Sequence, residues 1–339
     1  MGLKIVITGG AGYLGSILTQ KLLLNKTQSK YKTKDDTLNK NYDHFSHDLD
    51  IDKVVVYDNL MYRQVCLTDF CYRKDFEFID GDVRDENKLR NVIKDADVII
   101  PLAAIVGFPA CEKDKRLATE VNFEQINFII KNTSRQQKII YPNTNSGYGI
   151  GKNNLFCDEN TELNPISHYG VTKCMAEKML LDNRRAVTLR LATVFGVSPR
   201  MRLDLLVNDF VYKAVNDGYL MLFEKHFKRN FIHIHDVALT FISMINRYDE
   251  FVGETFNVGL TSANINKEEL ALKIKEQIPG LVIKDDEFKE DPDKRNYIVS
   301  NKKLEDTGWK AYYSLEDGIR ELIAAYKIIS NNNKNFTNL

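Results

Sequence analysis

The sequence predicts an α/β protein: a doubly wound parallel sheet with helices on both faces, joined by a smaller mixed α/β domain. Three observations predict it. Short apolar or β-branched runs alternate with helical patterns through the first half of the chain. The first of them, Lys4-Ile5-Val6-Ile7, feeds a glycine-rich turn, Thr8-Gly9-Gly10-Ala11-Gly12-Tyr13-Leu14-Gly15. Far downstream, Tyr169 precedes Lys173 by four residues, which puts both on one face of a helix.

Strands are expected at residues 5–8, 53–57, 76–79, 98–102, 138–142 and 187–191. The run Val54-Val55-Val56 and the run Val98-Ile99-Ile100 are apolar without alternation, as strands buried on both faces are. Helical patterns at residues 13–24, 86–93, 117–132 and 169–182 lie between most of them. The polar stretch 25–52 stands where a short connection would normally join the first helix to the second strand, and reads as an exposed insertion. His44 and His47 inside it have no Cys or carboxylate pattern around them and read as solvated. After Leu191 the pattern loosens, with one more strand at 255–259 and an amphipathic helix at 267–278. Residues 1–192 and 230–260 are assigned to the cofactor domain, and 193–229 and 261–329 to the smaller one. The Asn- and Lys-rich tail, 330–339, is expected to fray.

Composition excludes several classes. The 339 residues are 43% hydrophobic, with 47 Lys and Arg against 47 Asp and Glu, so no net field recruits nucleic acid or an anionic membrane. No apolar run approaches the roughly 20 residues of a membrane helix. The first apolar run is too short for a signal peptide, and Val6 stands where a myristoylation motif wants Ser or Thr. Five scattered cysteines lack the paired spacing of a zinc site and read as reduced thiols. A cytoplasmic protein without a metal is expected.

A strand, a glycine turn and a helix together set a pyrophosphate against free backbone N–H groups at a helix N-terminus. Gly9, Gly12 and Gly15 carry that turn, with Tyr13 and Leu14 opening the helix. Asp58, followed by Asn59, ends the second strand, where a carboxylate accepts both hydroxyls of the adenosine ribose and repels a 2′-phosphate. NAD is therefore expected, with Arg63 downstream as the feature that would favour NADP. Asp82 and Val83 follow the third strand, placing a carboxylate for the adenine amine or simply capping a turn. Leu102, Ala103 and Ala104 end the fourth with small groups that let the cofactor approach.

The Tyr169/Lys173 pair suits hydride transfer. A free tyrosine titrates near pH 10, and lowering it by roughly three units takes about 4 kcal/mol. Lys173 can supply much of that charge and can hold the nicotinamide ribose, leaving Tyr169 to remove a hydroxyl proton. Thr144, just beyond the fifth strand, can hydrogen-bond the substrate oxygen.

With these motifs the chain resembles the extended short-chain dehydrogenase/reductase family, specifically its NAD-dependent nucleotide-sugar epimerases and dehydratases, with a Rossmann-type fold. The resemblance spans nearly the whole length and adds Tyr148-Gly149, Tyr169-Gly170-Val171-Thr172-Lys173 and Arg229-Asn230-Phe231-Ile232-His233. It implies catalytic roles for Thr144, Tyr169 and Lys173, and phosphate-binding roles for Arg229 and Arg295, either of which is otherwise a surface residue. It also implies a homodimer or homotetramer.

Departures narrow the reaction. Dehydratases of the family follow the catalytic Thr with Asp-Glu, where this chain has Asn145 and Ser146. The GDP-fucose synthase type has a Cys where Ser146 stands. The stretches 142–149 and 198–205 resemble GDP-heptose 4-dehydrogenases of capsule biosynthesis. That resemblance implies oxidation at C4 of a nucleotide-sugar, GDP-D-glycero-D-manno-heptose, for surface polysaccharide. A 4-epimerase is the alternative, and a non-catalytic NAD-binding sensor a remote one. Arg200 and Arg202 suit a phosphate or an acidic second substrate such as 2-oxoglutarate, which would reoxidise NADH, unless they pair with Asp204 and Asp209.

Overall fold

The computed structural model describes residues 2–30, 49–151, 155–286 and 295–329. Seven parallel strands form its main sheet: β1 Leu3–Thr8, β2 Ile51–Asp58, β3 Phe76–Asp80, β4 Val98–Pro101, β5 Lys138–Thr144, β6 Val187–Leu191 and β7 Thr255–Val258. They lie in the order β7-β6-β5-β4-β1-β2-β3, with Ile5 opposite Val54 on one side and Val98 on the other. The direction of winding reverses between β1 and β4, which opens a crevice at the carboxyl ends of those strands.

Strand periodicity divides the core into two layers. Ile5, Ile7, Val54, Val56, Val98 and Ile100 pack on one face with Leu18 and Leu22 of the helix Tyr13–Lys30. Their neighbours Val6, Val55 and Ile99 enter the other layer with Leu89, Ile129 and Leu180. Continuous apolar runs are needed because both faces are covered.

Two expectations change. The first helix does not stop at Leu24 but runs to Lys30, and β2 begins at Ile51, so the expected insertion 25–52 is helical at its start. Residues 25–30 hold neither Gly nor Pro, the residues that end a helix. Residues 31–48, with His44 and His47, lie outside the described residues, as does the tail 330–339. The helix expected at 117–132 is continuous from Lys115 to Lys131 but contains a π turn, Glu120–Glu124.

Past β6, the loosened pattern hides regular structure. Thr193–Phe195 pairs in parallel with Lys228–His233, which pairs antiparallel with Asn264–Asn266. The helices Leu206–Asn216, Ile234–Asn246 and Leu315–Tyr326 give places to what the sequence showed only as loops and short helices. Among the described residues all five cysteines are free thiols, and no helix is long and apolar enough to cross a membrane.

Candidate active site

The glycine turn is dictated by close approach. Gly9 has φ +70°, and a Cβ on it would fall 2.5 Å from the Ala103 nitrogen. A Cβ on Gly15 would fall 2.5 Å from the Gly9 carbonyl oxygen. The turn is also bound to the next strand: Ala11 N–H donates to Asp58 Oδ2 at 3.0 Å, and Leu60 N–H to Oδ1 at 2.9 Å. Burial pushes the Asp58 carboxyl upward, and those backbone donors oppose it. Asp82 accepts from Arg84 Nε and Nη2, both at 2.9 Å, and from Asn59 Nδ2 at 3.1 Å. Hydrogen bonding by Arg84 chiefly holds its carboxyl at about 2.

Tyr13 is clamped from the far end of the chain. Its hydroxyl donates to the Gly196 carbonyl at 2.7 Å and accepts from Asn208 Nδ2 at 3.2 Å. Ser198 Oγ donates to the Tyr13 carbonyl at 2.7 Å. Gly9, Gly12, Leu14 and Gly15 then open onto a cavity of about 580 Å³ that also reaches Asp58, Asn59, Asp82, Val83, Leu102, Ala103 and Ala104. A glycine turn packed too tightly for a Cβ at Gly9 or Gly15, followed by a buried acceptor on the next strand, fits a dinucleotide.

The same cavity continues to Thr144, Tyr169 and Lys173. Ser167 caps the helix His168–Asp182 by accepting from Gly170 N–H at 3.1 Å, which places Tyr169 and Lys173 in its first two turns. Thr144 ends β5 and caps a single turn by accepting from Ser146 N–H at 3.1 Å. Burial pushes the Tyr169 phenol up to about 12, with Arg202 and Arg295 pulling the other way. Burial likewise pushes the Lys173 ammonium down to about 7. Lys173 is itself desolvated, with its ammonium 4.0 Å from the centre of the Tyr141 ring. Arginines from the loops at 202 and 295 supply the opposing field.

Two buried networks hold this helix. Arg190 of β6 reaches Glu177 through Nε at 2.9 Å and Nη2 at 2.7 Å, with side chains 6% and 1% exposed. The same guanidinium donates to Tyr148 Oη at 3.0 Å, whose hydroxyl donates to Asn257 Oδ1 at 2.7 Å. On the other side, Asn122 in the π turn donates to Thr172 Oγ1 at 3.3 Å and to the Ile105 carbonyl at 3.0 Å. Neither network was read from the sequence.

The arginines spread along the cavity. Arg295 contacts Ser146 Oγ and so stands beside Thr144. Arg229 is buried, donates to the Lys228 carbonyl at 3.0 Å and lies 5.8 Å from the Tyr297 ring centre. Arg202 is ion-paired with Asp204. Arg200 lies 5.1 Å from the ring of Tyr62, next to the turn that follows Asp58, which places it toward the ribose acceptor. Lys267, not singled out in the sequence, also lines the cavity and donates to the Phe223 carbonyl at 2.9 Å. Among the described residues no three His, Cys, Asp or Glu side chains converge as metal ligands would.

Residues 5–259 match the NAD dependent epimerase/dehydratase family. The low-salt glycan biosynthesis protein Agl12 of Haloferax volcanii is 25% identical, the match covering 96% of this chain and 98% of that protein. A putative UDP-glucose 4-epimerase of Methanocaldococcus jannaschii is 26% identical, covering 97% and 99%. Among solved structures, the UDP-glucuronic acid 4-epimerase of Bacillus cereus, in complex with UDP-glucuronic acid and NAD, superposes with TM-score 0.78. It is 23% identical, with 96% of this chain and 99% of that one covered. DesIV of Streptomyces venezuelae, a dTDP-glucose 4,6-dehydratase solved with NAD, gives TM-score 0.78 at 20% identity, covering 96% and 97%. Those structural likenesses speak for the fold.

Proposed function

The chain belongs to the NAD dependent epimerase/dehydratase family, and we propose that within it the protein oxidises the C4 hydroxyl of a nucleotide-sugar to a ketone. NAD is the family's cofactor and supplies the hydride acceptor when bound. The protein's own residues do the rest. Thr144 donates a hydrogen bond to the substrate oxygen, and Tyr169 takes the hydroxyl proton. Arg202 and Arg295 lower the phenol against the effect of burial. Lys173, one turn along, holds the ribose of the cofactor. Arg229 and Arg295 bind the diphosphate of the substrate.

One observation carries this reading over dehydration. Beside Thr144 stand Asn145 and Ser146, an amide and a hydroxyl, neither of which takes or gives a proton as a carboxyl does. Eliminating water takes a second acid and base; oxidation takes one base. The stretches 142–149 and 198–205 favour GDP-D-glycero-D-manno-heptose as substrate and surface polysaccharide as destination, with 2-oxoglutarate returning the cofactor to its oxidised form. A 4-epimerase uses the same groups, and two of the relatives bear that activity in their names.

The test is product identity. The purified protein is incubated with GDP-, UDP-, dTDP- and CDP-sugars, GDP-heptose included, with and without 2-oxoglutarate, and products are weighed by mass spectrometry. A sugar lighter by two hydrogens, formed in quantity only with the oxo acid, is the expected result. An isomer of unchanged mass would make the protein an epimerase, and a product lighter by water would sink the argument from Asn145 and Ser146.

Asp58 offers a second test, on the cofactor. Replacing it with Ala removes a buried acceptor bound to two backbone donors, at a cost of about 1–3 kcal/mol. NAD affinity should fall about tenfold or more by fluorescence titration. Unchanged affinity would remove Asp58 from the ribose site.

A further inference from the structure

Two hydroxyls and a guanidinium meet where the oxidation above asks for a single hydroxyl. Thr144 Oγ1 and Ser146 Oγ lie 2.8 Å apart. Ser146 N–H donates to Thr144 Oγ1 at 3.1 Å, and the Arg295 guanidinium donates to Ser146 Oγ. Ser146 is 2% exposed, which shields the middle member of the cluster from bulk water.

The fixed donors give the cluster a direction. A guanidinium and a backbone N–H donate and never accept. When Ser146 O–H also donates to Thr144 Oγ1, both acceptor positions of that oxygen are filled. The Thr144 O–H is then left to donate into the cavity. A ketone oxygen accepts and cannot donate, so it is the partner this arrangement suits.

We propose that Arg295, Ser146 and Thr144 form a hydroxyl relay that presents the charge of Arg295 to the C4 oxygen, with Ser146 and Arg295 acting as positioning residues for Thr144. The relay rests on the C4 oxidation proposed above. In that step the C4–H bond breaks and its electron pair leaves as hydride to NAD. The hydroxyl proton passes to the Tyr169 phenolate, and the C4–O bond becomes double. Negative charge on the oxygen peaks as its proton departs. A donor chain backed by a cation strengthens most at that moment, because charge-assisted hydrogen bonds are the strong ones and each bond polarises the next. The relay therefore acts on the transition state more than on the bound sugar.

The experiment uses the full chain with NAD and the nucleotide-sugar it turns over. Ser146→Ala should lower kcat by about 10- to 100-fold, in the range of a lost oxyanion donor, with KM changed by less than about threefold. Ser146→Cys, similar in size but a weaker donor, should fall between the two and serves if the Ala variant does not fold. In the Ser146→Ala background, Arg295→Met should lower kcat no further while still raising KM through the lost diphosphate contact. Such non-additivity is the mark of groups acting in series. A kcat for Ser146→Ala within about twofold of the parent, or losses that multiply in the double variant, overturns the relay and leaves the oxidation standing. A parent protein that turns over no nucleotide-sugar takes down both, since the relay then has no oxygen to serve.

Discussion

Replacing Tyr169 with Phe should lower turnover by about 10³-fold, in the range seen for a lost general base, and leave NAD affinity within about twofold. The substitution removes one oxygen. The ring still fills its half-buried place, Ser167 still caps the helix, and the glycine turn is untouched. Thr144 keeps its contacts with Ser146 but has no proton acceptor across from it. Turnover by mass spectrometry and NAD binding by fluorescence titration check the two halves separately. Residual activity above about a tenth of the parent, more than a lost general base leaves, would mean that another group takes the proton. A parent that binds NAD and processes no nucleotide-sugar would return the sensor reading to the front.

Glu177→Ala should be the most damaging single change to stability, at about 3–5 kcal/mol. The carboxylate is 1% exposed and receives two donors from Arg190, itself 6% exposed. Removing it leaves a guanidinium buried without its counter-charge, which costs more than the pair itself contributes. Glu177→Gln keeps an acceptor and should lose less. Urea unfolding followed by fluorescence measures both. A loss below about 1 kcal/mol, the usual worth of an exposed pair, would show that water or another group takes up Arg190. Because Glu177 lies two turns beyond Tyr169 on the same helix, the Ala variant should also lose turnover at temperatures where it remains folded.

What the sequence discloses and what it withholds divide along the distance between partners. The glycine turn, the acid at the end of β2 and the Tyr169/Lys173 pair are local patterns, and their chemistry follows from spacing along one element. The strands of the parallel sheet were legible for the same reason: burial on both faces leaves continuous apolar runs. The pairing of Arg190 with Glu177 joins two elements and has no local pattern. Its only signal was a charged residue inside the otherwise buried run 187–191, which demands a partner without naming one. Ser146 and Arg295 stand 149 positions apart, so the contact between them belongs to the fold alone. The state of the Lys173 ammonium is a different case. Proximity along the helix showed that a cation was near Tyr169, but the balance between its charge and its own desolvation depends on packing by Tyr141.

The clamp on Tyr13 bears on how the protein comes off the ribosome. The glycine turn is complete in sequence at residue 15, yet its helix is pinned by Gly196, Ser198 and Asn208, between 183 and 195 positions downstream. Translation runs at roughly 5–20 residues per second, so the turn waits on the order of ten seconds or more for its last tether. Through that interval β1 and its neighbours have partners within the emerged chain, while the partners of the Tyr13 hydroxyl have yet to be made. The nascent protein can therefore build its sheet early, but the seat for the cofactor is finished only after Asn208 has been made.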